Sequence, residues 1–277
     1  MIQEIIQNAL REDIGEGDHS ALACIPSEAT GVAKLLVKDT GIIAGVELAE
    51  LICKEVDSNL LFEKFIDDGA FVKYGDIAFT ITGSARSILS AERLLLNFMQ
   101  RMSGIATLTN EYVQLIKGTS AKLLDTRKTT PGIRYMEKWA VRIGGGYNHR
   151  FALYDMIMLK DNHVDFAGGI AAAIERTHHY LIENGKQLKV EIEVRNLTEL
   201  DEVLAIGKVD RIMLDNFTPE LLKAALIRIN GRFETEASGG ITKETIRSFA
   251  ETGVDFISVG ALTHSFKSLD MSLKATF

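Results

Sequence analysis

The segment from Thr126 to Arg150 gathers six cations, Arg127, Lys128, Arg134, Lys138, Arg142 and Arg150, against one acid, Glu137. The local charge is +5 in a chain whose formal net charge is −7. A basic cluster on an acidic protein suits a small anionic ligand, whereas a nucleic-acid surface needs a basic field overall. The segment ends in Gly144-Gly145-Gly146 and Asn148-His149-Arg150, and other reactive groups follow it. They are Lys160-Asp161-Asn162-His163, Glu193 in VEIEV, Asp215-Asn216, Ser238-Gly239-Gly240 and Val259-Gly260-Ala261.

Each kind of group has a use. Arginines grip planar carboxylates with two parallel hydrogen bonds. Glycine loops ahead of a helix hold a phosphate through backbone N–H groups. Two carboxylates such as Glu193 and Asp215 suit Mg²⁺, which takes a few carboxylates together with substrate oxygens, or they suit ribose hydroxyls. Together these describe a site for a sugar phosphate beside a multiply charged carboxylate. Not every charge belongs to it. Arg134, Lys138 and Arg142 recur at i, i+4 and i+8, the spacing of a solvated helix face, and are discounted as ligands. His178 and His179 fall in a helix, and Asp18-His19 in a turn. The chain has no HExxH and no paired CxxC, so a zinc site held by protein groups is not expected.

Parallel strands must position this chemistry. AKLLDT, DMIMLK, KVEIEV, RIMLDN, RFETEAS and DFISVGAL read as strands. Helical patterns NLTELDEVLAIG, TPELLKAALIRI and TKETIRSFAETG separate the later ones, with caps expected at Thr218-Pro219 and Thr242. The strand ends Glu193, Asp215, Ser238 and Gly260 recur every 22 or 23 residues, the length of one βα unit. Several such units predict a parallel barrel with its functional groups at the C-terminal strand ends. Only six strands are legible, so the barrel is expected to be incomplete or to hide one. A parallel barrel strand has no solvated face, so an inward Glu in VEIEV is read as functional. Before this region, one helix (residues 2–13), short strands, the helix VELAELICKEV and a long helical pattern with a break at Ser103-Gly104 suggest a small α+β unit. The expected division is 1–104 and 105–277.

The totals agree with a soluble α/β enzyme. Apolar residues make up 46% and there are only three prolines, so long disorder is not expected. Cys24 and Cys53 read as reduced thiols. No run reaches the roughly 20 apolar residues that a bilayer crossing needs, and the N-terminus is not a signal peptide, which points to the cytoplasm. Three functional readings fit these residues. One is a transferase of phosphorylated sugars, one a barrel aldolase with Lys160 as its Schiff-base lysine, and one a non-catalytic barrel that binds phosphorylated ligands.

The block DTRKTTPGIRYMEKWAVRIGGGYNHR, followed by LKDNH, EIEV, MLDN, ASGGI and SVGAL, closely resembles the quinolinate phosphoribosyltransferase family, also called nicotinate-nucleotide pyrophosphorylase (carboxylating). The likeness extends to AERLLLNFMQRMSGIAT and EDIGEGD, and Thr130 is a small departure where the family often has Leu. The resemblance implies a pentosyltransferase that joins quinolinate to 5-phosphoribosyl 1-pyrophosphate with Mg²⁺, giving nicotinate mononucleotide, pyrophosphate and CO₂ for NAD synthesis. It implies an N-terminal α/β sandwich domain followed by an incomplete α/β barrel, in a homodimer or larger homo-oligomer with a shared site. Arg127, His149, Arg150 and Lys160 match quinolinate-binding positions, with Arg93 entering from the neighbouring subunit. Lys128 matches a position near the pyrophosphate and the reacting centre, and Thr126 beside it is a further substrate-binding candidate. Glu193 and Asp215 match the carboxylates around the ribose and Mg²⁺. Ser238, Gly239, Gly240, Val259, Gly260 and Ala261 match loops that hold the 5-phosphate. No nucleic acid and no membrane are implied as partners. Relatives with other acceptors share the scaffold; the full Arg127, His149, Arg150 and Lys160 set favours a dicarboxylate.

Overall fold

The computed structural model describes residues 1–276. The first part of the chain forms α1 (Ile2–Ile14), α2 (His19–Cys24), β1 (Thr30–Val37), β2 (Gly41–Ile42), α3 (Val46–Val56), β3 (Leu61–Lys64), β4 (Phe71–Val72), β5 (Ile77–Ser84) and α4 (Ala85–Leu115). Then come β6 (Lys122–Leu124), α5 (Arg134–Ile143), β7 (Ile157–Leu159), α6 (Asp161–Ala167), α7 (Ile170–Glu183), β8 (Val190–Val194) and α8 (Leu197–Ile206). The chain closes with β9 (Arg211–Asp215), α9 (Pro219–Ile229), β10 (Glu234–Ser238), α10 (Ile246–Ala250), β11 (Phe256–Ser258), α11 (Ala261–His264) and β12 (Met271–Thr276).

Two compact units divide the chain. One comprises Met1–Glu111, Thr129–Gly145 and everything from Ala261 onward. Its main sheet is antiparallel in the order β12-β1-β5-β3. Alternation sets the register: Leu35 and Val37 of β1 lie opposite Leu273 and Met271 of β12, and all four are buried. A slip of one residue would turn this apolar set toward water. Sequence reading missed β12, although Met271, Leu273 and Ala275 alternate with Ser272, Lys274 and Thr276. The expected boundary at residue 104 therefore differs from the way the contacts divide the chain, because the C-terminal strand returns to the first sheet.

The helix α4 runs unbroken through Ser103-Gly104, where a break was expected. Both residues serve packing. The Ser103 hydroxyl accepts from the Ala44 N–H at 2.8 Å and lies 3.1 Å from the Ala44 carbonyl, replacing ladder partners for that strand-like stretch. A Cβ on Gly104 would meet the Lys267 carbonyl carbon at 2.9 Å and run into its oxygen. The segment Thr129–Gly145 joins the same unit. In it Arg101 donates to the fully buried Glu137 at 2.8 Å, and Glu137 also accepts from the Thr130 N–H at 3.1 Å. Lys138 is 3% exposed, so the solvated-face reading fails for it; Arg134 is half-buried, and Arg142 alone of the three is exposed.

The other unit comprises Tyr112–Lys128 and Gly146–Gly260. Its six parallel strands run β6-β11-β10-β9-β8-β7. That is the order of a ring in which only β6 and β7, consecutive in the chain, are not laddered together: an incomplete α/β barrel. Ile192, Ile212, Leu214, Ala237 and Ile257 face outward and are buried. The helix α9 starts at the cap expected for it, where Thr218, followed by Pro219, accepts from the Leu221 N–H; α8 opens on Asn196, a cap not anticipated, which accepts from the Glu199 N–H. The cap expected at Thr242 does not form. Residues 242–245 make a tight turn in which Thr245 Oγ1 accepts from the Thr242 N–H, and α10 spans only Ile246–Ala250.

Gly104→Ala tests the packing of α4. Alanine is the better helix former by about 1 kcal/mol, yet the collision with Lys267 should outweigh this and cost about 1–3 kcal/mol. Thermal unfolding reads the sign: the midpoint should fall, and a raised midpoint contradicts the close approach.

Candidate active site

Period-two alternation decides what the barrel holds. On β8 it turns Glu191 and Glu193 inward, on β9 Arg211, Met213 and Asp215, and on β10 Glu234, Glu236 and Ser238. Register stacks them in layers: Glu191 and Glu234 lie level with Arg211, Glu193 and Glu236 level with Met213, and Ser238 level with Asp215. The interior is thus charged from one end to the other. The C-terminal end carries the groups that the sequence singled out.

The lip beside β6 is built by a loop. The Tyr147 N–H donates to the Leu123 carbonyl at 2.8 Å, and the Asp125 N–H to the Tyr147 carbonyl at 3.1 Å, so residues 146–148 line the free edge of β6. Fully buried Asp125 then accepts from the His149 N–H at 2.9 Å and from the Asn148 side-chain amide at 2.6 Å. Arg150 follows, its guanidinium donating to the Met156 carbonyl at 3.0 Å. Burial lowers the Arg150 pKa, and so does the charge of Arg127 nearby; Glu191 and Asp155 oppose the shift. Arg127 Nε is buried without a hydrogen-bond partner among the described residues. Arg150, near enough to Arg127 to feel its charge, and the orphaned Arg127 donor together offer a site for a carboxylate.

Beneath them lies a cluster that sequence reading missed in part. His149 Nδ1 accepts from the Arg150 N–H at 2.7 Å, while Nε2 lies 3.0 Å from Glu191 and 3.4 Å from Glu236. Burial would lower the histidine pKa, but the two carboxylates overcome this and push it up to about 9. The Nδ1 lone pair is already engaged, so a second ring proton would face another N–H. The extra proton therefore belongs to the cluster as a whole. Burial raises the Glu191 pKa, whereas Glu236, despite its burial, is held ionised by His149, Ser258 and Arg211. The Arg211 guanidinium donates to Glu236 at 3.0 Å and to Glu234 at 3.0 Å, and sits 4.0 Å over the Phe256 ring. Of this cluster only His149 and Glu191 drew attention in the sequence. Period two in RFETEAS offered the signal for Glu236.

A second group faces the same mouth from β7, β8 and β9. Lys160 lies 3.6 Å from Glu193, and its backbone is fixed by His163, whose Nδ1 accepts from the Lys160 N–H at 3.0 Å. Burial raises the Glu193 pKa, helped by Asp215 and opposed by Lys160. Burial also raises Asp215, against the charges of Lys160 and Lys128. Asn216 adopts a left-handed conformation (φ +56°) and donates to the Asp215 carboxylate at 2.5 Å. Its N–H reaches the Ser238 carbonyl at 2.8 Å, and a Cβ on Gly239 (φ +95°) would overlap its side chain. Gly240 (φ +61°) borders open space. The five residues of α10 supply little dipole, so a phosphate here depends on the glycine backbone more than on a helix. Thr126 Oγ1 accepts from the Lys128 N–H, and the Val259 N–H is committed to the Leu124 carbonyl; Gly260 ends the unit and Ala261 opens α11. Thr126, Arg127, Lys128, His149, Arg150, Lys160, Glu193, Asp215, Ser238, Gly239, Gly240, Val259 and Gly260 thus belong to one unit. Arg93 stands exposed on α4.

The family models of "Quinolinate phosphoribosyl transferase", N-terminal and C-terminal domains, match residues 18–103 and 105–274. The chain belongs to the quinolinate phosphoribosyltransferase family. It is 48% identical to quinolinate phosphoribosyltransferase [decarboxylating] 2, mitochondrial, of Nicotiana glauca, over 99% of this chain and 82% of that protein. It is 40% identical to the probable nicotinate-nucleotide pyrophosphorylase [carboxylating] of Bacillus subtilis, over 99% and 93%. Among solved structures, NadC from Streptococcus pyogenes superposes with a TM-score of 0.93 at 41% identity, covering 99% of this chain and 96% of that one. The nicotinate-nucleotide pyrophosphorylase of Francisella tularensis gives 0.91 at 40% identity, covering 99% and 96%.

The raised Glu193 pKa has a signed consequence. A carboxyl whose folded pKa lies above its unfolded value is destabilising when ionised, and the penalty fades as pH falls through the raised value. Glu193→Gln should stabilise the ligand-free protein at pH 8 by roughly 0.5–1 kcal/mol, discounted for the half-open site. The gain should shrink toward zero on acidification. Thermal melts across pH check this, and a gain independent of pH contradicts it.

Proposed function

We propose that this barrel mouth binds quinolinate through Arg127, His149, Arg150 and Lys160 and the phosphoribosyl donor through Lys128, Glu193, Asp215 and the glycine loops. The activity is that of a decarboxylating quinolinate phosphoribosyltransferase, a pentosyltransferase of NAD biosynthesis. Quinolinate and 5-phosphoribosyl 1-pyrophosphate give nicotinate mononucleotide, pyrophosphate and CO₂. The observation that carries the assignment of residues is the paired guanidinium groups with the orphaned Arg127 Nε, beside a separate cluster of lysines and carboxylates. With the family established, the aldolase and passive-binder readings of Lys160 lapse.

The chemistry follows from charge. Arg127 and Arg150 orient the acceptor so that its ring nitrogen faces the sugar. Lys128 and Lys160 draw negative charge as pyrophosphate departs, and Glu193 and Asp215 face the oxocarbenium-like ribose. The nucleophile is an aromatic nitrogen, so no general base is needed. Once alkylated, the positive ring nitrogen stabilises the electron pair left on C2 as the 2-carboxylate departs as CO₂, and a proton from water then fills that position. Glu193 and Asp215, half-buried hard oxygen donors with raised pKa values, fit Mg²⁺. When bound, that ion would neutralise pyrophosphate charge. Gly239 and Gly240 leave room for the 5-phosphate. The protein works as a cytoplasmic homodimer at least, in which exposed Arg93 completes the partner's acceptor site.

The test supplies quinolinate, phosphoribosyl pyrophosphate and Mg²⁺ and follows nicotinate mononucleotide, with nicotinate in place of quinolinate as the control. Only the first mixture should give product. In Arg127→Ala the loss of a charged hydrogen-bonding group should raise the quinolinate KM roughly 10- to 100-fold, equivalent to about 1.5–3 kcal/mol. Unchanged quinolinate affinity with lower turnover contradicts the role given to Arg127.

A further inference from the structure

We propose that Glu191 is a positioning residue for the acceptor: with Glu236 and Arg211 it forms a buried charged brace that fixes the His149 imidazole and, through Nδ1, the backbone from which Arg150 reaches its ligand. This rests on the reading that Arg127 and Arg150 take the acceptor carboxylates.

Glu191 is fully buried in the middle of the barrel, and neither carboxyl oxygen makes a well-directed hydrogen bond among the described residues. A carboxyl so placed costs stability, and an apolar side chain would fill the volume without that cost. Its surroundings show what it does instead. Oε2 lies 3.0 Å from His149 Nε2, and Glu236 lies 3.4 Å from the same nitrogen. Glu236 is anchored by Arg211, which Glu234 and the Phe256 ring hold in turn one layer deeper. The other ring nitrogen accepts the Arg150 N–H. Glu191 thus acts on the acceptor site through His149 and, by way of Nδ1, through the Arg150 backbone. Glu191 has a second effect: its charge favours the Arg150 guanidinium, which Arg127 disfavours. The carboxyl thus steadies the pair of like charges that the acceptor needs. His149, Glu191 and Glu236 also each offer a ligand atom within 4.8 Å of the others, the spacing of a metal site. Arg211 already neutralises Glu236 from below, so the cluster is assigned to the brace.

Glu191→Gln and Glu191→Leu separate these roles, with both substrates varied in steady state and folding followed by thermal melts. Gln keeps the shape and one acceptor oxygen, so the quinolinate KM should rise roughly 3- to 10-fold, against roughly 30-fold or more for Leu. The phosphoribosyl pyrophosphate KM should stay within about 2-fold in both. Should Leu not fold, Gln alone decides. Equal loss for both substrates, or an unchanged quinolinate KM, overturns the brace. So does a stoichiometric divalent metal that survives dialysis against EDTA and is lost in Glu191→Gln. Arg150→Gln is the control: if it leaves the quinolinate KM unchanged, the acceptor placement fails and the brace with it. If it raises that KM while the Glu191 variants do not, the brace alone fails.

Discussion

Cations that wait for an anion must be held together without one. The charge of Arg127 disfavours that of Arg150, which is half-buried, so water screens the repulsion only partly. The barrel resolves this by geometry and by counter-charge. Asp125 accepts from the His149 backbone N–H and the Asn148 side-chain amide, the Met156 carbonyl takes one guanidinium N–H, and the buried Glu191 carboxyl faces His149. None of these contacts uses up the Arg127 Nε donor. The site therefore remains electrostatically open, and its binding strength comes from pre-organisation: the cost of assembling the charges is met on folding, not on binding.

The same logic runs through the second cluster with signs reversed. Glu193 and Asp215 hold protons more tightly than ordinary carboxylates because burial disfavours their charge. Lys160 and Lys128 relieve this in part. Glu193 is paired with Lys160, and Asp215 lies within the field of Lys160 and Lys128. Asn216 fixes Asp215 through its side chain while its left-handed backbone seats it against Gly239. Asp215 and the glycine loop after β10 thus share one residue for support. That coupling explains why Asp-Asn on β9 and Ser-Gly-Gly after β10 occur one βα unit apart.

Much of this was legible in the sequence, because a βα repeat of 22–23 residues is a local signal repeated often. Six strands, the helices α8 and α9, and the strand-end positions of Lys160, Glu193 and Asp215 follow from periodicity, and the α9 cap from Thr218-Pro219. What escaped depends on distant partners. Gly104 looked like a helix break, since its role is to admit Lys267 across 163 positions of chain. Lys138 looked solvated, since helical spacing says which residues share a face but not what covers it. The strand β12 is short and ends the chain, and its pairing lies with β1. Glu236 was overlooked because its inward direction matters only once Arg211 and His149 are known to meet it. Thr242 carried the chemistry of a cap, but the turn closed on Thr245 instead.

The missing ladder between β6 and β7 is the feature that lets this barrel be so densely functional at one edge. A strand there would hydrogen-bond on both sides, and only every second residue would face inward. The loop that replaces it satisfies its backbone by other means. Tyr147 pairs with β6, Asp125 accepts from the His149 N–H, and Asp155 accepts from the N–H groups of Phe151 and Ala152 at 2.6 and 2.7 Å. Freed from alternation, three consecutive residues take three different tasks. Asn148 ties the loop to Asp125, His149 turns into the buried carboxylates, and Arg150 stands beside Arg127. A regular strand could not place neighbours in this way, because its pleat would send the middle residue out to the helices. Opening the ring gives up one ladder of hydrogen bonds, and the acceptor-binding edge depends on the irregular backbone that takes its place.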